Sequence, residues 1–151
     1  MKKTPRATPA GFMLDAVEFL KAAELLLNRA EGISLPIYFL FSRSIELSLK
    51  AFLLHCGVSA KDLASRRLGH NLFALAKEAQ ECGLPSHVSL NSPEFGMIEL
   101  LTQEYQGTRL GYRVTGATYY LPPIDHTENI ARKLVSGLQE VCEASTANAD
   151  A

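Results

Sequence analysis

Three charged residues are notable because they fall inside a segment that is otherwise strongly apolar. Arg43, Glu46 and Lys50 occupy positions i, i+3 and i+7, and on a helix this spacing places them on one stripe. One interpretation is an ion-pair stripe in which Glu46 bridges the two cations. The other is a binding site in which Arg43 and Lys50 offer positive charge to an anion such as a phosphate. Because burying a charge is costly before pairing offsets it, we expect the stripe to line a groove or interface.

A histidine with a distinct context is His70, which follows Gly69 at the start of a predicted helix. Its ring could cap that helix or bond to the charged stripe, and both roles are structural. Histidine also changes charge near neutral pH and can act as a general acid or base, provided that a second group lies within hydrogen-bonding reach. The other three histidines belong to no metal-binding sequence pattern.

The segment 105–120 combines aromatic and basic residues. It holds four of the five tyrosines of the chain and two arginines, and it contains no acidic residue. Arginines interleaved with aromatic rings are typical of surfaces that stack on bases and bind phosphates. The alternative is an ordered loop whose tyrosines pack on the bundle or on a partner subunit, where Tyr and Arg are also enriched. The candidate ligand-binding residues of this segment are Arg109, Tyr112 and Arg113.

Helices must position these candidates, because apolar residues recur with the helical period along most of the chain. Residues 35–56 are apolar in nearly every direction around the predicted axis, which indicates a helix buried at the centre of a bundle. The segment 107–123 is rich in Gly and Pro and predicts a long non-helical crossover before the last helix. The sequence therefore predicts an all-α up-and-down bundle of four to five helices. The first three span about residues 10–30, 35–56 and 70–82. The fourth begins at residue 92, and the last, after the crossover, ends at about residue 144.

Capping signals predict where the helices begin. Thr8 followed by proline predicts the start of the first helix, and Ser92 followed by proline predicts that of the fourth. Asp125 and Glu128 have the spacing of a capping box at the start of the last helix.

Length and composition are those of one globular domain. The chain has 151 residues, of which 47% are hydrophobic and 21% charged, and its net charge of −1 argues against a protein that binds bulk nucleic acid over a broad basic surface. We expect one folded domain over residues 9–144 between disordered tails at 1–8 and 145–151. The longest apolar run is too short to cross a membrane, so a cytoplasmic protein without a membrane partner is expected.

The three cysteines, Cys56, Cys82 and Cys142, lie far apart in the sequence and form no CxxC pair. They predict small buried apolar side chains in a reducing compartment. No metal or cofactor is expected from these spacings.

Two motifs of the chain resemble those of a known family. Residues 43–54 read Arg-Ser-Ile-Glu-Leu-Ser-Leu-Lys-Ala-Phe-Leu-Leu, and they are followed by Gly57 and by Leu-Gly-His-Asn-Leu at 68–72. This order resembles the ExxLKAxLxxxG…GHxL signature of HEPN domains. The Tyr112-Arg113 segment is similar to the tyrosine- and arginine-containing connection before the last helix of that family.

The resemblance spans about residues 12–143. It implies a bundle of four or five helices that is usually a symmetric dimer and is associated with nucleotide or RNA binding. Many members are metal-independent ribonucleases that use an arginine followed four to six residues later by a histidine. Here Arg113 is followed six residues later by Tyr119 and seven residues later by Tyr120, and phenol groups are poor general bases at neutral pH.

We therefore predict no catalytic residue and a non-catalytic binding module that recognises a nucleotide, RNA or partner protein through a basic and aromatic groove. One alternative is a metal-independent ribonuclease effector of a toxin–antitoxin or defence system, in which Arg113, His70 or a tyrosine at 119–120 is catalytic. Another is a purely structural homodimer. The predicted ligand-binding residues are Arg43, Glu46, Lys50, His70, Arg109, Tyr112 and Arg113.

Overall fold

The computed structural model describes residues 7–147, and within them every regular element is helical. The all-α prediction is confirmed, and residues 107–123 contain neither helix nor strand. No helix of the described range is long and apolar enough to cross a membrane. Residues 1–6 and 148–151, which belong to the predicted disordered tails, lie outside the described range. The elements are α1 (Pro9–Leu27), α2 (Leu35–His55), α3 (Ala60–Leu63), α4 (Leu72–Glu81), α5 (Ser92–Gln106) and α6 (Ile124–Glu143), with a 3-10 turn at Leu84–Ser86.

Helix α2 forms the centre of the bundle, as its sequence predicts. It packs against α1, α6 and α4, and most of its side chains are buried. Phe41, Ile45, Leu49 and Leu53 are fully enclosed. Since a fully buried large apolar side chain contributes roughly 1.5–3 kcal/mol, this helix supplies a large part of the hydrophobic stabilisation.

Small residues allow α1 and α2 to approach closely. Ala16 of α1 is fully buried, and its carbonyl oxygen accepts a hydrogen bond of 2.7 Å from the Ser44 hydroxyl of α2. The bond satisfies a hydroxyl that would otherwise be buried without a partner. Ser44 and Glu46 are two positions apart and so point to nearly opposite sides of the helix. The contact with α1 therefore turns Glu46 away from α1, toward the side where α4 and α5 lie.

The start of α5 differs by one residue from the prediction. Asn91, and not Ser92, is the capping residue, because its side chain accepts from the Glu94 amide at 2.8 Å while Glu94 accepts in return from the Asn91 amide at 3.0 Å. Glu94 also binds Lys133 of α6, with both carboxylate oxygens 2.9 Å from the ammonium nitrogen. One buried glutamate thus caps α5 and ties it to α6.

The predicted capping box at the start of α6 is wrong. The residue that precedes the helix is Pro123, which has no side-chain cap, and Asp125 lies inside the first turn. Its carboxylate accepts from the next amide, that of His126, and Glu128 is bound to Arg132 instead. A first-turn acid still favours this helix through the helix dipole.

The three cysteines meet at one end of the bundle although they are distant in the sequence. Cys56 follows the last residue of α2, Cys82 follows that of α4, and Cys142 lies in the last turn of α6. The sulfur of Cys56 is 3.6 Å from the carbonyl oxygen of Cys82. Cys142 is buried as predicted, but Cys56 and Cys82 are exposed, so the prediction of buried side chains is wrong for these two. They terminate their helices, where the bundle no longer encloses the chain.

The thiols of Cys142 and Cys56 are predicted to react slowly with thiol reagents. Burial raises the pKa of Cys142 to about 12, and partial burial of the Cys56 thiol, whose residue is otherwise exposed, raises its pKa to about 11; in each case a neighbouring cysteine adds to the shift. A raised pKa keeps the thiol protonated at pH 8, and the thiolate is the nucleophile. We expect both to react with an aromatic disulfide reagent at least about tenfold more slowly than in the urea-unfolded chain, with the rate rising toward pH 10. Mass spectrometry of peptides measures each site, and equal rates in folded and unfolded protein at pH 8 would contradict the prediction.

Candidate functional site

The carboxylate of Glu46 is the centre of a buried polar cluster. Its side chain is 1% exposed, and both of its oxygens have polar partners. One oxygen, Oε2, lies 2.7 Å from the Arg43 guanidinium and 3.3 Å from the Lys50 ammonium. The other, Oε1, accepts a bond of 2.8 Å from the Tyr105 hydroxyl and lies 2.7 Å from His70 Nδ1. We refer to these five residues as the Glu46 cluster.

Three parts of the chain supply the cluster. Helix α2 contributes Arg43, Glu46 and Lys50 on one stripe, so the ion-pair arrangement expected from their spacing is present. Tyr105 lies in the last turn of α5, and His70 stands just before the Asn71 cap of α4.

Gly69 permits the turn that presents His70. Its φ is +23°, and a Cβ atom there would lie 3.0 Å from the Ser65 carbonyl oxygen. Glycine avoids both the strain and the close contact. The chain can therefore fold back tightly before α4 and bring the imidazole to the carboxylate.

The hydrogen-bonding pattern defines the protonation of the cluster. Burial, followed by the Glu46 carboxylate, raises the pKa of Tyr105, so its hydroxyl remains a donor. Burial lowers the pKa of Arg43, but Glu46, Tyr105 and Asp15 together more than offset it, and the net pKa is raised. Arg43, Lys50 and Tyr105 all donate to Glu46, whose carboxylate oxygens act as acceptors. His70 Nδ1 must then carry a hydrogen, so in the neutral ring Nε2 carries none and can accept a hydrogen bond.

The outer side of the cluster opens into a cleft of about 560 Å³, which we call the His70 cleft. The His70 side chain is 61% exposed there, in contrast to the enclosed Glu46 beneath it. Among the described residues that line the cleft, none is acidic. The cleft thus presents cationic and hydrogen-bonding groups to solvent, and its lining consists of Lys50, Ala64, Ser65, Arg66, Gly69, His70 and Gln106.

Arg109, a predicted ligand-binding residue, is engaged by its own loop. Its guanidinium stacks 4.6 Å from the centre of the Tyr119 ring and donates to the Thr118 carbonyl oxygen at 2.7 Å. Its Nε lies 3.3 Å from the buried Glu104 carboxylate. The Tyr119 hydroxyl in turn accepts from the Val114 amide at 2.9 Å. Arg109 therefore orders the crossover, as expected for a loop that packs on the bundle.

Tyr112 and Arg113, the other predicted loop residues, are exposed. Arg113 lines a second opening of about 580 Å³, the Arg113 groove, near the beginning of α2. The crossover is anchored there because the Tyr38 hydroxyl donates to the Pro122 carbonyl oxygen at 2.6 Å. The groove is apolar apart from its arginine and two tyrosines, and its lining consists of Ile33, Leu35, Tyr38, Arg113, Tyr119, Leu121, Pro122, Pro123 and Ile124.

The predicted site residues thus form two groups. Tyr38, in the Arg113 groove, and Lys50, in the His70 cleft, are twelve positions apart on α2, which corresponds to about 18 Å along the helix axis. Phe39 lies between the groups: its ring is 5.8 Å from that of Tyr105, and it also contacts the crossover near Gly111. The structure brings together Arg43, Glu46, Lys50 and His70, and it places Arg109, Tyr112 and Arg113 in the crossover.

Sequence reasoning missed three residues of the His70 cleft and its cluster. Tyr105 belongs to the predicted aromatic and basic segment 105–120 but not to the predicted binding residues, although its position on the buried face of α5 implies a hydroxyl in need of a partner. Arg66 and Gln106 are not among the predicted ligand-binding residues, although both line the cleft. No local pattern connects either of them to α2, because the contact depends on how the helices pack.

Within residues 7–147, no group of three His, Cys, Asp or Glu side chains is arranged to hold a metal ion. The chain matches no family model, and neither the curated proteins nor the solved structures give a match.

Proposed function

We propose that the chain is a HEPN-like binding module whose His70 cleft recognises the phosphate of a nucleotide or RNA. The observation that carries the proposal is the separation of charge in the Glu46 cluster. The acid is buried and has four donors, whereas Lys50, Arg66 and His70 line an open cleft. Side chains of this kind form the charge-assisted hydrogen bonds by which proteins bind phosphate groups.

The charge balance supports the same ligand class. Arg43 and Lys50 together carry two positive charges against the one negative charge of Glu46. Arg66 adds a third cation at the rim, and Gln106 offers an uncharged amide. An anion that enters the cleft would therefore be attracted by these cations, and no acidic side chain of the lining would repel it. The small net charge of the whole chain is compatible with such a local site.

RNA is the ligand that could use both groups of site residues. A mononucleotide is shorter than the roughly 18 Å that separates the two openings along α2, whereas a strand can extend over both. Tyr112 is exposed beside Arg113, and aromatic rings next to arginines stack on bases with little sequence preference. The resemblance to HEPN domains points to the same two ligand classes.

The proposal predicts that Arg66→Gln weakens the binding of a short single-stranded RNA by about tenfold, because a charge-assisted phosphate contact is lost. The matched control is Arg67→Gln, since the neighbouring arginine is also exposed but pairs with Glu78 and does not line the cleft. Fluorescence anisotropy at fixed salt measures both affinities. Equal effects of the two substitutions would contradict a specific site in the cleft.

Two further comparisons separate the ligand classes. If one strand contacts both openings, Arg113→Gln should weaken RNA binding and leave adenosine monophosphate binding unchanged. If the ligand is a mononucleotide, Arg66→Gln and a competing mononucleotide should both reduce binding in the His70 cleft, and neither should affect the Arg113 groove. Absence of binding by both probes would remove the phosphate proposal and favour the structural homodimer, for which Tyr112 and Tyr120 offer exposed aromatic surface.

A metal-independent ribonuclease is the second candidate, and the Glu46–His70 pair favours it. The Glu46 carboxylate orients the ring through Nδ1 and leaves Nε2 directed away from the carboxylate, which is the arrangement of a histidine that acts as a general base. Arg66 lines the same cleft. Incubation of the pure protein with labelled RNA in the presence of a chelator distinguishes the candidates. Cleavage that His70→Gln abolishes would establish the enzyme, whereas intact RNA bound by the protein would support the binding module.

A further inference from the structure

The two nitrogens of His70 have different surroundings. Nδ1 lies 2.7 Å from Glu46 Oε1 and, as argued above, donates its hydrogen to that carboxylate. The side chain is 61% exposed, so the remainder of the ring, including Nε2, faces the cleft. In the neutral ring Nε2 is a hydrogen-bond acceptor. A phosphodiester oxygen is also an acceptor, and the two would repel each other unless a proton lies between them.

We propose that phosphate binding in the His70 cleft is coupled to the uptake of one proton at His70 Nε2. The inference rests on the proposed function. The proton comes from solution, no covalent bond of the ligand changes, and the imidazolium then donates one hydrogen bond to Glu46 and one to the phosphate. A phosphodiester carries no proton of its own to offer at neutral pH. Ligand affinity consequently increases as the pH falls.

The other charged groups around His70 leave it as the site of uptake. From α2, Arg43 and Lys50 are paired with Glu46 through its Oε2 atom. From α5, Tyr105 keeps its proton and lies with its ring edge-on, 5.9 Å from the imidazole. From the turn before α4, Arg66 is a permanent cation. Histidine is the side chain whose charge ordinarily changes between about pH 5 and 8.

Glu46 favours this uptake as well as orienting the ring. A carboxylate that accepts from Nδ1 places a negative charge beside the imidazolium that forms when Nε2 is protonated, while Arg43 and Lys50 bind the other carboxylate oxygen. The arriving phosphate contributes the second negative charge.

Titration calorimetry of the full chain tests the coupling. The probes are an oligouridylate without terminal phosphate and adenosine monophosphate, each titrated at pH 7.5 in buffers of different ionisation enthalpy. At this pH the monoester is mostly a dianion, so either probe must draw the proton from the buffer. We expect the binding enthalpy to change with the buffer enthalpy with a slope near one proton, and the affinity to fall by up to about tenfold per pH unit above neutrality.

The variant His70→Gln provides the matched comparison, because its amide donates a hydrogen bond at every pH. It should bind the same probe with no proton uptake and with a flat pH profile. Binding of wild-type protein without proton uptake would overturn this inference and leave the proposed function standing, and this result does not depend on the variant. Uptake that persists in the variant would also overturn it. Failure of both probes to bind would remove the inference together with the proposed function.

Discussion

Replacing Glu46 by alanine is expected to lower the free energy of unfolding by about 3 kcal/mol, because removal of one partner leaves buried charges uncompensated. The substitution deprives Arg43, Lys50, His70 and Tyr105 of their common acceptor. The Lys50 side chain is only 11% exposed and would lose its acidic partner. Arg43 and His70 can turn toward solvent, which places the expected loss at the lower end of the range for broken buried ion pairs.

Urea unfolding followed by circular dichroism measures this loss. The matched control is Glu78→Ala, which breaks the exposed pair with Arg67 and should cost no more than about 1 kcal/mol. A Glu46→Ala protein as stable as the control would show that the cluster contributes little to the fold. The same result would weaken the argument that Glu46 is the common acceptor beneath the cleft.

Gly137→Ala is expected to destabilise the protein by about 1–3 kcal/mol, the usual range for overpacking a dense contact. Gly137 lies in α6, and a Cβ atom there would be 2.3 Å from Val88 Cγ2 and 2.9 Å from the His87 carbonyl oxygen. The second contact is to backbone, so the link between α4 and α5 would have to move away from α6. The intrinsic helix preference of alanine recovers only about 1 kcal/mol.

Gly96→Ala is the matched control, because Gly96 lies inside α5 and no atom comes within 4 Å of its added Cβ. Here the higher helix propensity of alanine should stabilise the protein by about 0.5–1 kcal/mol. Thermal and urea unfolding should therefore shift in opposite directions for the two glycines. The double variant Gly137→Ala with Val88→Ala should lose less than the sum of the single losses, since one clash is removed. Additive losses would indicate that the link adapts without strain.

The sequence by itself determined the long helices and the pairing along α2. The apolar period identified α2 as the buried centre, because a helix that is apolar on every side is stable only when it is enclosed. The spacing of Arg43, Glu46 and Lys50 was enough to anticipate their ion pairs, since helix geometry alone makes them neighbours. Gly and Pro in the crossover likewise marked the one long segment without helix in residues 7–147.

Only the tertiary structure decided which distant residues meet. His70 reaches Glu46 across 24 positions of the chain, and Tyr105 does so across 59. The meeting of the three cysteines and the contact of Gly137 with Val88 depend in the same way on how the helices pack. No periodic pattern in the sequence predicts such contacts, because the relative rotation and axial position of two helices depend on all their packed side chains together. The His70 cleft is a product of that packing, although Lys50 and His70 were already distinctive in the sequence.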